Sequence, residues 1–300
     1  MTEEYNSPIQ TFLDYVKFEK RYSQHTITAY KNDLEQFFDY LNGQYGVTAL
    51  NEIAPAFIKS WLASLKEDKM SSKSLNRKIS SLKSFFKFQL KSGGITVTPM
   101  WSVTSPKISK RLPQFVKETE MKDLFQYLSF PDDWQGKTDR LAISLFYQTG
   151  MRLSELVNLK ESHIDKDRNS IKVIGKGNKE RIIPLNPNLT LEIADYMNSK
   201  RTSFEKFDNL YLLVNKEGKK LYTKYVYLHV KKYMAEVTTL AKKSPHILRH
   251  SFATHMMNHG ADLNAVKELL GHSSLAATQV YTHNTIEKLK DIHKKAHPKA

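Results

Sequence analysis
The sequence has 300 residues, of which 40% are hydrophobic and 26% charged, a balance that fits two folded domains with real cores and excludes a largely disordered chain. It contains no cysteine, which excludes disulfides, cysteine nucleophiles and thiolate metal sites and fits a reducing cytoplasm; it also has no apolar run of about 18 residues, which excludes a membrane-spanning helix, and its acidic start, Met1-Thr2-Glu3-Glu4, is not a secretory signal. Lys and Arg number 46 against 31 Asp and Glu, a net charge of +15, and such an excess favours a polyanionic partner, nucleic acid first.

In chain order, the first pattern is purely helical. Ile9, Phe12, Leu13 and Val16 sit at helical spacing, as do Tyr30, Leu34, Phe37, Phe38 and Leu41, with Asn42-Gly43 read as the end of that helix. Ala56–Leu65 and Ser74–Leu90 are two more helices, the second closed by Gly93-Gly94. The expected result is a small helical bundle. One face of it, with Lys73, Arg77, Lys78 and Lys83, is basic and polar, as a contact to a DNA backbone would be. The polar, basic stretch Ser102–Pro113 carries Pro106 and Pro113 and reads as a linker. It sets the expected domains at 1–107 and 108–300.

The second part is mixed. Helices are expected over Glu118–Tyr127 and Thr138–Thr149. Ser170–Gly175 and Arg181–Leu185 read as a β-hairpin around Lys176-Gly177-Asn178-Lys179. Further helices follow at Leu189–Lys200, Tyr225–Ala241, Pro245–Asn258, Leu263–Leu270 and Leu275–Tyr281, with a Lys-rich last helix and tail from Lys288 to Lys299. The fold class is therefore mainly α with a small β-sheet.

Chemistry gathers at a few points. In Thr149-Gly-Met-Arg-Leu-Ser-Glu-Leu156 one helix ends at Gly150 and another opens near Ser154. Arg152 sits at the junction with Glu155 within its reach. In Ser244-Pro-His-Ile-Leu-Arg-His250, Ser244 suits an N-cap and Pro245 the first helical position. His246 and Arg249 then share a face at a helix start that favours an anion. Gly271 closes a helix, His272 follows it, and Tyr281 comes nine residues later. His250, His255 and His259 fall near helical spacing, but the carboxylate or thiolate partners typical of zinc sites are not nearby. No metal is expected there, and His250 and His255 are expected to pack or hydrogen-bond inside their domain.

In order, Arg152, the hairpin Lys176, His246 with Arg249, His272 and Tyr281 resemble the tyrosine recombinase family, and specifically its Xer-type members. The surrounding words match too: Gly175-Lys-Gly-Asn-Lys-Glu-Arg181, His246-Ile-Leu-Arg-His-Ser-Phe-Ala-Thr-His255 and Leu270-Gly-His-Ser273. The resemblance covers nearly the whole chain, and none of the six positions departs from the family pattern. It implies an N-terminal helical core-binding domain of SAM-like fold and an α+β catalytic domain with a C-terminal exchange helix. It also implies DNA strand cleavage and religation through a 3′-phosphotyrosyl intermediate, without ATP, metal or other cofactor.

Within that resemblance Tyr281 is the nucleophile, His246 a base, and Lys176 the proton donor to the leaving 5′ oxygen. Arg152, Arg249 and His272 would bear the charge on the phosphate oxygens, and Glu155 would support the arginines. Lys179 and Arg181 on the hairpin join the bundle lysines as candidate DNA contacts. The implied partners are double-stranded DNA at paired half-sites, a homo- or hetero-tetramer with a second Xer-type recombinase, and an activating DNA translocase. The implied setting is the cytoplasm, away from membranes, with a role in resolving chromosome or plasmid dimers.

Three other readings compete. A mobile-element integrase would use the same chemistry. A type IB topoisomerase uses a similar residue set without strand exchange, but the helical domain of about 100 residues favours recombination. A non-catalytic DNA-binding protein would not need the intact set. The narrow apolar stripe Ile286, Leu289 and Ile292 in the segment Asn284–Ala296 is expected to dock in a neighbouring subunit.

Overall fold
The structure, a computed structural model, describes residues 3–47, 49–108, 114–127 and 129–271. The chain forms two compact units, residues 1–110 and 111–300. The expected helix Leu275–Tyr281, the Lys-rich tail and the stripe from Ile286 lie outside the described residues.

The first unit consists of α1 (Glu3–Asp14), which runs into a π-helical turn at Tyr15–Glu19, then α2 (Gln24–Tyr45), α3 (Pro55–Glu67) and α4 (Ser72–Lys91). Serines start two of these helices. The Ser23 hydroxyl accepts from the Thr26 N–H, and that of Ser71 from the Ser74 N–H. Leu34, Phe37, Phe38 and Leu41 of α2 face Leu75, Ile79, Leu82, Phe85 and Phe86 of α4, all buried. Their spacing by three and four is what a single helical face requires. The rings meet edge to face or tilted, with Phe37 5.0 Å from Trp61 and Phe38 5.6 Å from Phe85.

Asn42-Gly43 does not end α2. The helix continues to Tyr45 and stops at Gly46, which takes the left-handed conformation at φ +61° and donates its N–H to the Asn42 carbonyl. A glycine is tolerated inside a helix at about 1 kcal/mol, whereas the left-handed closing position is where glycine is needed.

The second unit opens with α5 (Glu118–Gln126), α6 (Trp134–Thr149) and the short α7 (Leu153–Val157). Strands β1 (Ile164–Asp165), β2 (Ser170–Ile174) and β3 (Glu180–Pro184) follow, then α8 (Pro187–Ser203), α9 (Thr223–Val237), α10 (Pro245–Asn258) and α11 (Leu263–Leu270). α6 is the central helix, buried around most of its surface and packed on α8, α9 and α10.

Among the described residues the sheet is antiparallel in the order β1-β2-β3, with Val173 opposite Arg181 and Ile171 opposite Ile183. Ile171, Val173 and Ile183 point into the core, in the two-residue period of a half-buried strand. The turn between β2 and β3 places Gly177 at φ +74° and Asn178 at φ +59°, conformations that suit these two residue types. β1, two residues long, has no sequence expectation behind it. α9 stops at Val237 rather than continuing to Ala241. Thr238 turns extended there, and its hydroxyl accepts from the Leu240 N–H.

No described helix is long and apolar enough to cross a membrane. Two buried polar side chains, Asp139 and His255, are partnered within the core of this unit. Asp139 on α6 accepts from Tyr225, His229 and Tyr233 of α9. His255 sits between the Tyr147 hydroxyl at 3.0 Å and the Val116 carbonyl at 2.9 Å, and burial pushes its pKa down. A neutral ring that accepts from Tyr147 and donates to Val116 satisfies both contacts.

Candidate active site
The site begins at the end of α6. Gly150 closes that helix at φ +60°, and a Cβ there would stand 2.4 Å from the Phe252 ring and 3.0 Å from Leu270. Only glycine permits this approach, and it brings α10 and α11 against the α6–α7 junction. Arg152 is the N-cap of α7, in extended conformation. Its backbone N–H donates to Glu155 Oε2 at 2.7 Å, and its Nη1 to Glu155 Oε1 at 2.8 Å. One carboxylate thus fixes both the start of the helix and the side chain beside it.

Arg152, Arg181 and Arg249 converge on the end of α11. Arg181 Nε donates to the Leu269 carbonyl at 2.7 Å, Arg249 Nη2 to that of Leu270 at 2.6 Å, and Arg152 Nη2 to that of Gly271 at 3.0 Å. A helix leaves its last carbonyls without partners and carries partial negative charge there, so three planar cations are stabilised at this position. Arg249 also donates to the Gly150 carbonyl at 2.6 Å. Arg181 grips Glu155 with both prongs, at 3.0 and 2.9 Å. Burial favours the neutral form of Glu155, but the bonds and charge from Arg181 and the donors of Arg152 outweigh it and hold its pKa down at about 2.

The arginines differ in access. Arg249 is buried, and the Arg181 side chain is only 11% exposed, whereas 35% of the Arg152 side chain stays open. Arg152 borders a cleft of about 420 Å³ whose lining also includes Glu155, Lys160, His163, Gly175 and Tyr211. His246 is exposed on the first turn of α10, and its ring meets that of His250 edge to face at 4.3 Å. Lys176 stands at the hairpin turn directly after Gly175, in a 3₁₀ turn, Lys176–Asn178. His272 and Tyr281 lie outside the described residues.

The structure therefore brings Arg152, Glu155 and Arg249 together around the end of α11. It moves two of the candidate DNA contacts inward. Lys78 does not belong to the exposed basic face of α4. It is buried, pairs with Asp33 at 3.0 Å, donates to Gln36 and lies 5.5 Å from the centre of the Trp61 ring. Arg77 remains half-exposed while bonded to the same Asp33, and Lys73 and Lys83 are exposed. On the hairpin Lys179 is exposed, but Arg181 spends its guanidinium on Glu155 and Leu269. A signal for Arg181 was present in the sequence. It lies two residues before the core residue Ile183 on a strand, and hence on the inner face.

Both units match known families. Residues 114–288 match the model of the phage integrase family, and residues 9–93 that of the phage integrase N-terminal SAM-like domain. A tyrosine recombinase XerC of Chlorobaculum parvum is 36% identical, with 97% of this chain and 94% of the relative covered. The XerC of Listeria innocua is 38% identical over 96% and 97%. Among solved structures, an XerA recombinase aligns over 98% of this chain and 99% of its own with 27% identity and a TM-score of 0.53. An XerH site-specific recombinase bound to palindromic difH DNA shares the fold, with a TM-score of 0.74 over 88% of this chain and 78% of its own at 23% identity. The chain belongs to the phage integrase family. It has the activity of the family's tyrosine recombinases, which cleave and rejoin DNA through a tyrosine intermediate.

Proposed function
We propose that this recombinase acts at paired half-sites in double-stranded DNA to resolve chromosome or plasmid dimers, and that Tyr281 is its nucleophile. The Tyr281 oxygen attacks the scissile phosphorus and forms a 3′-phosphotyrosyl bond as the bond to the 5′ oxygen breaks. His246 takes the phenolic proton, since a phenol near pKa 10 needs a base and an imidazole titrates near neutrality. Lys176 gives a proton to the departing 5′ oxygen. The 5′ hydroxyl of another strand then attacks the phosphotyrosine, Tyr281 leaves, and the backbone is restored with no net bond lost.

The observation that carries this reading is the convergence of Arg152 and Arg249, distant in sequence, on the adjacent carbonyls of Gly271 and Leu270. Two guanidinium forks stand beside the residue that leads directly to His272. Forks of this kind match the non-bridging oxygens of a phosphodiester, whose charge grows in the transition state. Residues 1–107 supply a DNA-binding domain through the exposed Lys73 and Lys83 of α4, and residues 108–300 the catalytic domain. The family resemblance is what supports assembly as a tetramer on two sites, with itself or a second Xer-type recombinase, under a DNA translocase. The resemblance assigns the Asn284–Ala296 segment, outside the described residues, the exchange role of docking in a neighbour.

The test is a nicked suicide substrate that traps the covalent adduct. Tyr281→Phe should abolish the adduct and leave gel-shift affinity unchanged, because the ring is kept and only the phenolic oxygen is lost. An adduct that survives would assign the nucleophile to another residue.

A further inference from the structure
Arg181 is bound on three sides. Its Nη1 and Nη2 donate to the two oxygens of Glu155 at 3.0 and 2.9 Å, and its Nε donates to the Leu269 carbonyl at 2.7 Å. The side chain is 11% exposed and its carboxylate partner 2%. It stands opposite Val173 in the β2–β3 ladder, so its backbone belongs to the hairpin while its guanidinium belongs to the arginine cluster.

Two glycines border this pair. A Cβ on Gly175 would lie 3.3 Å from Glu155 Oε1 and 3.7 Å from Arg181 Nη1. A Cβ on Gly271 would lie 3.1 Å from Arg181 Nη1 and 3.2 Å from its Cδ. Gly175 directly precedes Lys176, and Gly271 directly precedes His272. The backbone that leads to each of these residues therefore runs against the Arg181–Glu155 pair, while Glu155 also holds Arg152 at its side chain and its backbone.

We propose that Arg181 is a positioning residue for strand cleavage: it ties the hairpin that carries Lys176 to the α11 end that leads to His272, and through Glu155 it aims Arg152. The inference rests on the catalytic roles given above to Lys176, His272 and Arg152. Arg181 itself does not touch DNA. Its guanidinium is paired with Glu155, which it shares with Arg152, and its three bonds are all made inside the fold. A fork is needed rather than a point charge, because two carboxylate oxygens and a carbonyl must be met at once.

The test separates binding from chemistry in the full-length protein. Single-turnover cleavage at saturating suicide DNA, equilibrium affinity and its salt dependence are measured for Arg181→Ala and Arg181→Lys. Glu155→Gln is measured alone and combined with Arg181→Ala. Cleavage should fall about 10- to 100-fold in both Arg181 variants, the range typical of residues that orient a functional group. Affinity should stay within about twofold and the slope of log K against log salt should not change, because no phosphate contact is lost. The double variant should cleave no more slowly than Glu155→Gln, since both changes break one unit.

A weaker affinity with a slope shallower by about one would make Arg181 a phosphate contact and overturn the proposal. So would unchanged cleavage, or losses that multiply in the double variant. Melting curves accompany each variant, and where Arg181→Ala does not fold, Arg181→Lys, which keeps the charge and most of the packing, decides. Arg152→Lys is run beside them. If it cleaves normally, the catalytic reading falls and the positioning role with it; if it is crippled while both Arg181 variants are unimpaired, only the positioning role falls.

Discussion

In each unit of this protein a buried carboxylate, Asp33 in the first and Glu155 in the second, lies beneath two basic side chains, and the two arrangements do different things. In the first unit Asp33 of α2 takes Arg77, Lys78 and the Ser81 hydroxyl, all from α4. The cluster pins two helices together, and Lys78 is consumed by it. In the second unit Glu155 takes Arg152 and Arg181 from different elements, and Arg152 keeps a third of its side chain open beside a cleft. One carboxylate closes a core, and the other holds one cation inside and leaves the second facing the cleft. A basic residue in a basic protein is therefore not by itself a contact to DNA; what decides is how much of its side chain stays open once a buried acid has bound it.

The largest expected effect falls on the two arginines proposed to bind the phosphate, Arg152 of the Glu155 cluster and the buried Arg249 beside it. Arg152→Lys and Arg249→Lys should each slow single-turnover cleavage by roughly 10²–10³, because a point charge cannot replace a fork bound to two acceptors. Near-normal rates on a nicked substrate would erase the distinction between the clusters.

Next is the unlike response of the two acids. Removing Asp33 strands a buried lysine, so Asp33→Asn should destabilise the first unit by about 3 kcal/mol, read by denaturant unfolding. Cleavage of bound DNA, measured below the melting range, should be unaffected. Lys78→Met should cost less than Asp33→Asn, since Asp33 keeps Arg77 and the Ser81 hydroxyl while the apolar chain fills the space beside Trp61. A loss of DNA affinity in Lys78→Met would return that residue to the binding face.

The pH dependence of Glu155 sharpens the comparison further. Its folded pKa of about 2 lies below the ordinary 4.5, so its stabilising contribution is complete above the ordinary value and is lost as pH falls from there toward about 2. The size is about 3 kcal/mol at 1.36 kcal/mol per pKa unit. Urea unfolding between pH 5 and 2 should show this loss in the parent and a flatter curve in Glu155→Gln. Parallel curves would mean that the carboxylate is not held by its arginines.

The smallest effect concerns the helix that carries Asp33. Gly43 lies inside α2 with open space where a Cβ would go, whereas Gly46 needs its positive φ. Gly43→Ala should stabilise the unit by about 0.5–1 kcal/mol, and Gly46→Ala should destabilise it. Thermal melts of the two variants should move in opposite directions.

The same residues show what a sequence discloses. Strong periodicity made the bundle readable, because Leu34, Phe37, Phe38 and Leu41 have one solution as a helical face. The junctions at Gly150, Pro245 and Gly271 were readable because caps obey local rules, and Arg152 and Arg249 lie beside them. The end of α2 was misread at Asn42-Gly43 because the sequence states that glycine is allowed, not that its positive φ is required. Lys78 and Arg181 looked like surface cations because their partners, Asp33 and Glu155, are 45 and 26 residues away. The strand Ile164–Asp165 is too short for any period and exists only because Ile171 and Ser170 are there to pair with it.

Gly150 has a mechanical consequence. Its carbonyl receives Arg249 and its peptide lies two residues before Arg152, so both forks are referenced to one point of the backbone, as two dimensions on a machined part are taken from one datum. A side chain at this position, forced against Phe252 and Leu270, would shift the backbone to which both arginines are referenced. Gly150 is thus a single point whose displacement would reach both of the proposed phosphate-binding forks at once.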